Sequence, residues 1–253
     1  MTILEEVINI DEMPIIKYLK EKGIIVDSKY FSTRSRIDSK EMLGHMDTII
    51  DIQKSLCISN KEALSGIESK IGKRLEEYRV QLKKASKAYE ILALKSNRNK
   101  IDRFIFLNGQ KMIKKGEEAL GSIDDYTYFE IIRRSMNKNE LCLGRVDLGN
   151  LKKHDGILYV GSIKGICYNL FEEDIYKYIK KLEKKNVDFD IDDIITDYAY
   201  KSHLSYSSIK YLKALCMYPR SSLRLWERYR NGKSKRTNEY YEKEFDRARK
   251  YEN

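Results

Sequence analysis

The sequence predicts a mainly α-helical (α+β) protein with a small β-hairpin near its middle. The chain of 253 residues has only two prolines, Pro14 and Pro219, and is rich in Lys, Glu, Leu and Ile, a composition that favours helices. Apolar residues recur at three- and four-residue spacing along most of its length. Asp155-Gly156 separates a short run from Ile157-Leu158-Tyr159-Val160, and Asp-Gly ahead of such a β-rich stretch is a strong hairpin signal.

The leader, residues 1–36, is expected to hold one short helix. Asp11 caps it, Pro14 sits in its first turn, Ile15, Ile16 and Leu19 form its apolar face, and Gly23 ends it. Gly23 to Val26, with Tyr30 and Phe31, suggest an extended piece. No glycine-rich phosphate loop and no lysine in a strand context occur in the leader.

From Asp38 onward the periodicity is helical. Met42, Met46, Ile49, Ile50 and Ile52 share a face. A long helix is expected over 70–95, with Ile71, Leu75, Tyr78, Leu82, Tyr89 and Leu92 inward. Another is expected over 101–120, with Ile101, Phe104, Ile105, Leu107, Met112 and Ile113 inward. Gly121-Ser122 closes that helix, and Asp124-Asp125 opens one over 126–136. Beyond the hairpin, Ile175, Tyr178, Ile179 and Leu182 mark a helix, and Asp190 starts the next. Ser205 is a candidate cap, Pro219 starts a further helix and Gly232 stops it. The charged tail over 234–253 reads as a frayed or docking helix. The domain layout expected is therefore a leader (1–36), a main helical body (37–233) and a tail (234–253).

The net charge is +10, from 49 basic and 39 acidic residues. That excess permits an anionic partner. The two signs are interspersed, however, and no nucleic-acid-binding signature is present, so a solvated coat is expected rather than a nucleic-acid site. Cys57, Cys142, Cys167 and Cys216 are scattered, without a metal-binding or disulfide pattern, and read as buried thiols. No signal peptide and no membrane-length apolar run is found. The 19 tyrosines are expected mostly at helix interfaces.

Residues 140–170 organise the rest. Leu141-Cys142-Leu143 is a short apolar run broken by Gly144, followed by the loop Val146–Asn150 and the hairpin. This frame, LGRVDLGN over Leu143–Asn150, resembles the HGDxxxxN motif of the aminoglycoside phosphotransferase and choline kinase families, which share the protein-kinase fold. The stretch ILYVGSIKGICYNLFEEDIYKYI is similar to the strand, metal-binding motif and helix that follow it there. Two further stretches, KIGKRLEEYRVQLKK to KKGEEAL and LSYSSIKYLKALCMYPRSSLRLWERYRNGKS, resemble the helical insert and C-terminal segment of the CotS-like spore coat branch. The resemblance covers about residues 39–234. It implies a protein-kinase-like C-lobe, with the N-lobe truncated or replaced by the leader.

In such kinases the aspartate of HGD handles the substrate hydroxyl, while the asparagine and a later aspartate hold magnesium. The resemblance places Leu143 at the histidine, Arg145 at the base, Asn150 at the asparagine and Ser162 at the metal aspartate. Only Gly144 and Asn150 keep the motif. Arginine cannot accept a proton and repels Mg²⁺, and serine is a poor ligand for it. Gly161 stands where the family has an aliphatic residue, and Lys164 where it often has an acid. Asp147 is the one candidate rescue carboxylate, though a loop cap or a partner of Arg145 is its expected role. His154 is expected at the turn, and Asp174 is expected to brace the loop.

The expectation is a non-catalytic kinase-like protein without cofactors, made in the cytoplasm. It would act through contacts with other proteins, most plausibly in the spore coat, with no membrane partner. One alternative is a divergent small-molecule phosphotransferase using ATP and Mg²⁺. A second is a basic nucleic-acid-binding module.

Overall fold

The computed structural model describes residues 14–27, 29–33, 36–57, 64, 66–232 and 236–252, so the expected cap Asp11 lies outside the described residues. The chain forms two compact units. Unit 1 combines Met1–Ile71 with Ile131–Leu204, and unit 2 combines Gly72–Glu130 with Ser205–Asn253.

In unit 1, α1 (Pro14–Glu21) buries Ile15, Ile16 and Leu19. Gly23 turns the chain at φ +74° into β1 (Ile24–Val26). The leader strand then joins the central hairpin. β1 pairs in parallel with β4 (Ile157–Val160), placing Ile24 beside Leu158 and Val26 beside Val160. β4 pairs antiparallel with β3 (Leu151–His154), giving a sheet ordered β1-β4-β3. Asp155 and Gly156 both have positive φ, +49° and +78°, the backbone that a two-residue hairpin turn requires. A second small sheet pairs β2 (Leu141–Cys142) with β5 (Cys167–Tyr168).

Around these strands pack α2 (Ser39–Ser55), capped by the Asp38 carboxylate, α6 (Glu172–Lys184) and α7 (Ile191–Lys201), capped by Asp190. The α2 face is buried as expected. Its polar members are bonded rather than wasted. Gln53 donates to the Phe171 carbonyl at 3.0 Å and accepts from the Tyr198 hydroxyl at 2.7 Å, and the Tyr178 hydroxyl donates to the Met42 carbonyl at 3.0 Å.

Unit 2 is helical: α3 (Lys73–Ala93), α4 (Lys100–Gly121), α8 (Tyr206–Met217), α9 (Arg220–Arg230) and α10 (Asn238–Glu252). The α3–α4 pair is close because Gly109 and Gly116 carry no side chain. A methyl there would stand 2.9 Å from Tyr89 and 2.8 Å from Leu82. Tyr78 and Tyr218 stack at 4.0 Å. The charged tail docks as α10, burying Tyr241, Phe245 and Ala248. Between the two units in sequence, α5 (Asp125–Lys138) contributes residues to each.

Four local expectations are corrected. The long helix starts at Lys73, not 70, because Gly72 adopts φ +82° and leaves Ile71 outside. Leu107 is 78 % exposed, since it falls off the inward stripe of α4. Ser205 occupies the N-cap position of α8, but its hydroxyl makes no capping bond. Cys57 is only half-buried, while Cys142, Cys167 and Cys216 are buried as expected; Cys57, Cys142 and Cys167 pack with Phe171.

Candidate functional site

The 143–150 loop leaves β2 and enters β3, and a buried carboxylate fixes its start. Asp174, in the first turn of α6, accepts from the backbone N–H of Leu143 at 2.9 Å and of Gly144 at 3.0 Å. Burial raises the Asp174 carboxyl above its ordinary range, while Lys177 at 3.7 Å and the two N–H donors hold it down. Gly144 sits at φ +71°, and a methyl there would lie 2.4 Å from the Gly165 carbonyl oxygen, so the motif glycine is required by backbone geometry.

The end of the loop is fixed by Asn150, which is fully buried. Its amide nitrogen donates to the Arg145 carbonyl at 2.8 Å and to the Ser162 carbonyl at 3.0 Å. One side chain thus ties the loop to the segment after β4. Its amide oxygen is buried with no hydrogen-bond partner.

Arg145 points the other way. Its guanidinium lies 4.2 Å from the centre of the Tyr30 ring and donates to the Tyr30 hydroxyl at 2.5 Å. Its Nε is 3.6 Å from Asp147. Asp147 is committed to the loop: one oxygen accepts from the Gly149 N–H at 3.1 Å, and the other faces Arg145 and, at 3.9 Å, Lys181. Ser162 is half-buried, and its hydroxyl accepts from the Lys164 N–H at 3.3 Å. Leu143 is buried in the core, while Lys164 is exposed. His154 pairs with Asp155 on the exposed turn, 3.5 Å apart.

The structure therefore brings Arg145, Asn150 and Ser162 together through Asn150. Those donors do not fit a magnesium ion. They offer one neutral amide oxygen and a hydroxyl where such an ion takes carboxylate oxygens, and the carboxylate of the loop, Asp147, already faces Arg145 and Lys181.

The leader lies across the same loop. The Phe31 N–H donates to the Gly149 carbonyl at 2.8 Å, and the Asp27 N–H donates to the Val160 carbonyl at 2.9 Å. A methyl on Gly161 would stand 2.3 Å from the Lys29 carbonyl oxygen. The absence of an aliphatic side chain at Gly161 is thus what lets the leader backbone settle there.

Two supports were not legible in the sequence. His45 on α2 lies 2.7 Å from the Val146 carbonyl, and burial lowers its pKa against the opposing influence of that carbonyl and Asp147. Arg134 on α5 reaches Glu140 at 2.8 Å and Glu172 at 2.7 Å, tying the start of β2 to the start of α6. Glu140 is raised chiefly by burial, which Arg134 opposes. A local cue existed for neither residue, because their partners are assembled by the fold.

No known protein family and no curated protein matches the chain. Among solved structures it is similar to an aminoglycoside phosphotransferase from Alicyclobacillus acidocaldarius subsp. acidocaldarius DSM 446. The TM-score is 0.70, over 94 % of this chain and 76 % of that one, at 10 % identity. The fold is accordingly kinase-like, mainly α with a few short strands, as the sequence predicts.

Proposed function

We propose that this chain is a non-catalytic member of the kinase-like fold that acts through protein contacts as an assembly component. One observation carries the reading: Arg145, which the sequence resemblance puts at the catalytic base, is stacked on Tyr30 of a leader that lies on the loop. Arginine cannot take a proton from a substrate hydroxyl, and its charge opposes a divalent cation beside it. The leader backbone at Gly161 fills space next to the residue that would hold the metal. The spore coat as the setting is supported by the resemblance of residues 39–234 to the CotS-like branch. Titration with Mg²⁺–ATP by calorimetry is expected to show no saturable heat. Saturable binding lost in Asn150→Ala, or phosphate transfer to an aminoglycoside or choline, would overturn the proposal.

A second reading, a divergent small-molecule phosphotransferase, is favoured by the unpartnered buried oxygen of Asn150. Such an oxygen suits a ligand more than a purely structural amide. The aminoglycoside phosphotransferase among its structural neighbours supports the same reading. The calorimetric experiment separates the two.

A further inference from the structure

The net charge of +10 is not shared evenly. Unit 2 carries 26 Lys and Arg against 15 Asp and Glu, a balance of +11, while unit 1 carries 23 against 24, a balance of −1. Within unit 2, α9 places Arg220, Arg224 and Arg228 four residues apart on one face, a stripe about 12 Å long. None of the three makes a salt bridge to a described residue. Arg220 and Arg224 line an open cleft of about 560 Å³ between α3 and α9, with Lys73 and Lys84 also on its wall. Partial burial, and then the like charges of Arg228 and Arg220, push the Arg224 guanidinium below its ordinary value. A carboxylate arriving there would relieve that repulsion.

The complementary charge lies elsewhere on the same chain. Residues 188–193 hold four aspartates and no Lys or Arg. Asp188, Asp190, Asp192 and Asp193 are exposed, on the approach to α7 and in its first turn.

We propose that the arginine face of α9 docks the aspartate segment 188–193 of a second copy of this chain, giving self-association. The proposal rests on the reading of the chain as an assembly component and names the partner. The contact pairs an α9 face with a 188–193 segment, so it either closes reciprocally in a dimer or extends to further copies. Nucleic acid is disfavoured because Glu76, Glu77 and Glu227 share the cleft and repel a phosphate backbone. A protein surface can place its carboxylates between them.

The test is sedimentation velocity on the full chain at about 50 mM and about 500 mM salt, where exposed charge pairs are weakly and strongly screened. At low salt and rising concentration the weight-average mass is expected to reach about twice the monomer value or more, and to fall back at high salt. The triple variants Arg220→Glu/Arg224→Glu/Arg228→Glu and Asp188→Lys/Asp192→Lys/Asp193→Lys, checked for native circular dichroism, are each expected to be monomeric. An equimolar mixture of the two is expected to associate again, because the reversed α9 face meets the reversed 188–193 segment and the intact α9 face meets the intact segment, each pair of opposite sign. A monomeric wild type at low salt overturns the proposal, as does a mixture that stays monomeric. Salt-sensitive capture of an RNA or DNA oligonucleotide by the α9 face of a monomeric chain would also overturn it, in favour of a nucleic-acid partner. None of these outcomes depends on nucleotide binding, so they fail or succeed independently of the calorimetric test of catalysis.

Discussion

Asp174 braces the start of the 143–150 loop and His45 its middle, and both bond to backbone. Asp174→Ala removes the acceptor of two backbone N–H groups in a buried place. It is expected to lower stability by about 2–4 kcal/mol, as read from urea unfolding. A loss below about 0.5 kcal/mol would show that the loop does not depend on this brace. His45 gives a pH dependence with a definite sign. Burial lowers its folded-state pKa, so as pH falls below the ordinary histidine value the unfolded chain gains a proton that the folded chain refuses. Its contribution is steady above that value and declines as pH falls through the window between the ordinary and the lowered pKa. Urea midpoints measured from pH 7.5 downward should therefore drop more in the wild type than in His45→Gln; equal slopes would contradict the assignment. The Asp174 role was legible because the motif spacing located it. The His45 contact was not, because its partner is a carbonyl 101 residues away and carries no residue-type signal.

At the scale of elements, the leader and the tail are two short segments that the fold puts to use. The leader contributes β1 to the hairpin sheet and then crosses the loop, and Gly161 is the point where their backbones meet most closely. Gly161→Val is expected to displace residues 24–33 and speed their proteolysis, with a stability loss of about 1–3 kcal/mol. An unchanged cleavage pattern would mean the leader is held elsewhere. In the tail, α10 buries Phe245 completely, and the Glu252 carboxylate accepts from the N–H groups of Ser221 and Ser222 at the start of α9. The Lys115 amine also reaches the Glu252 carbonyl. Phe245→Ala is expected to cost about 3–5 kcal/mol, and Glu252→Ala about 1–2 kcal/mol by leaving the α9 terminus uncapped. The hairpin and the helix starts at Asp38 and Asp190 were readable from local residue types. The parallel pairing of β1 and the β2–β5 sheet were not, since strands of two or three residues have no periodicity to read.

For the molecule as a whole, the fold is kinase-like, and under the proposed reading the chain binds no nucleotide. Thermal unfolding states this in one number. A ligand at one hundred times its dissociation constant stabilises by about 2.7 kcal/mol. Millimolar Mg²⁺–ATP is instead expected to leave the unfolding temperature of this chain unchanged. A rise of several degrees would favour the phosphotransferase reading.

The sequence by itself determined the helical class, the hairpin, and the core faces of α2 and α6. These depend on local periodicity, turn chemistry and spacing within one segment. Only the tertiary structure decided that Arg145 stacks on Tyr30 and that the leader backbone takes the place of a side chain at Gly161. It also decided that Arg134 joins Glu140 to Glu172 and that the excess positive charge belongs to unit 2. Each of those facts joins residues far apart along the chain, and units built from discontinuous segments have no charge balance until the chain is folded.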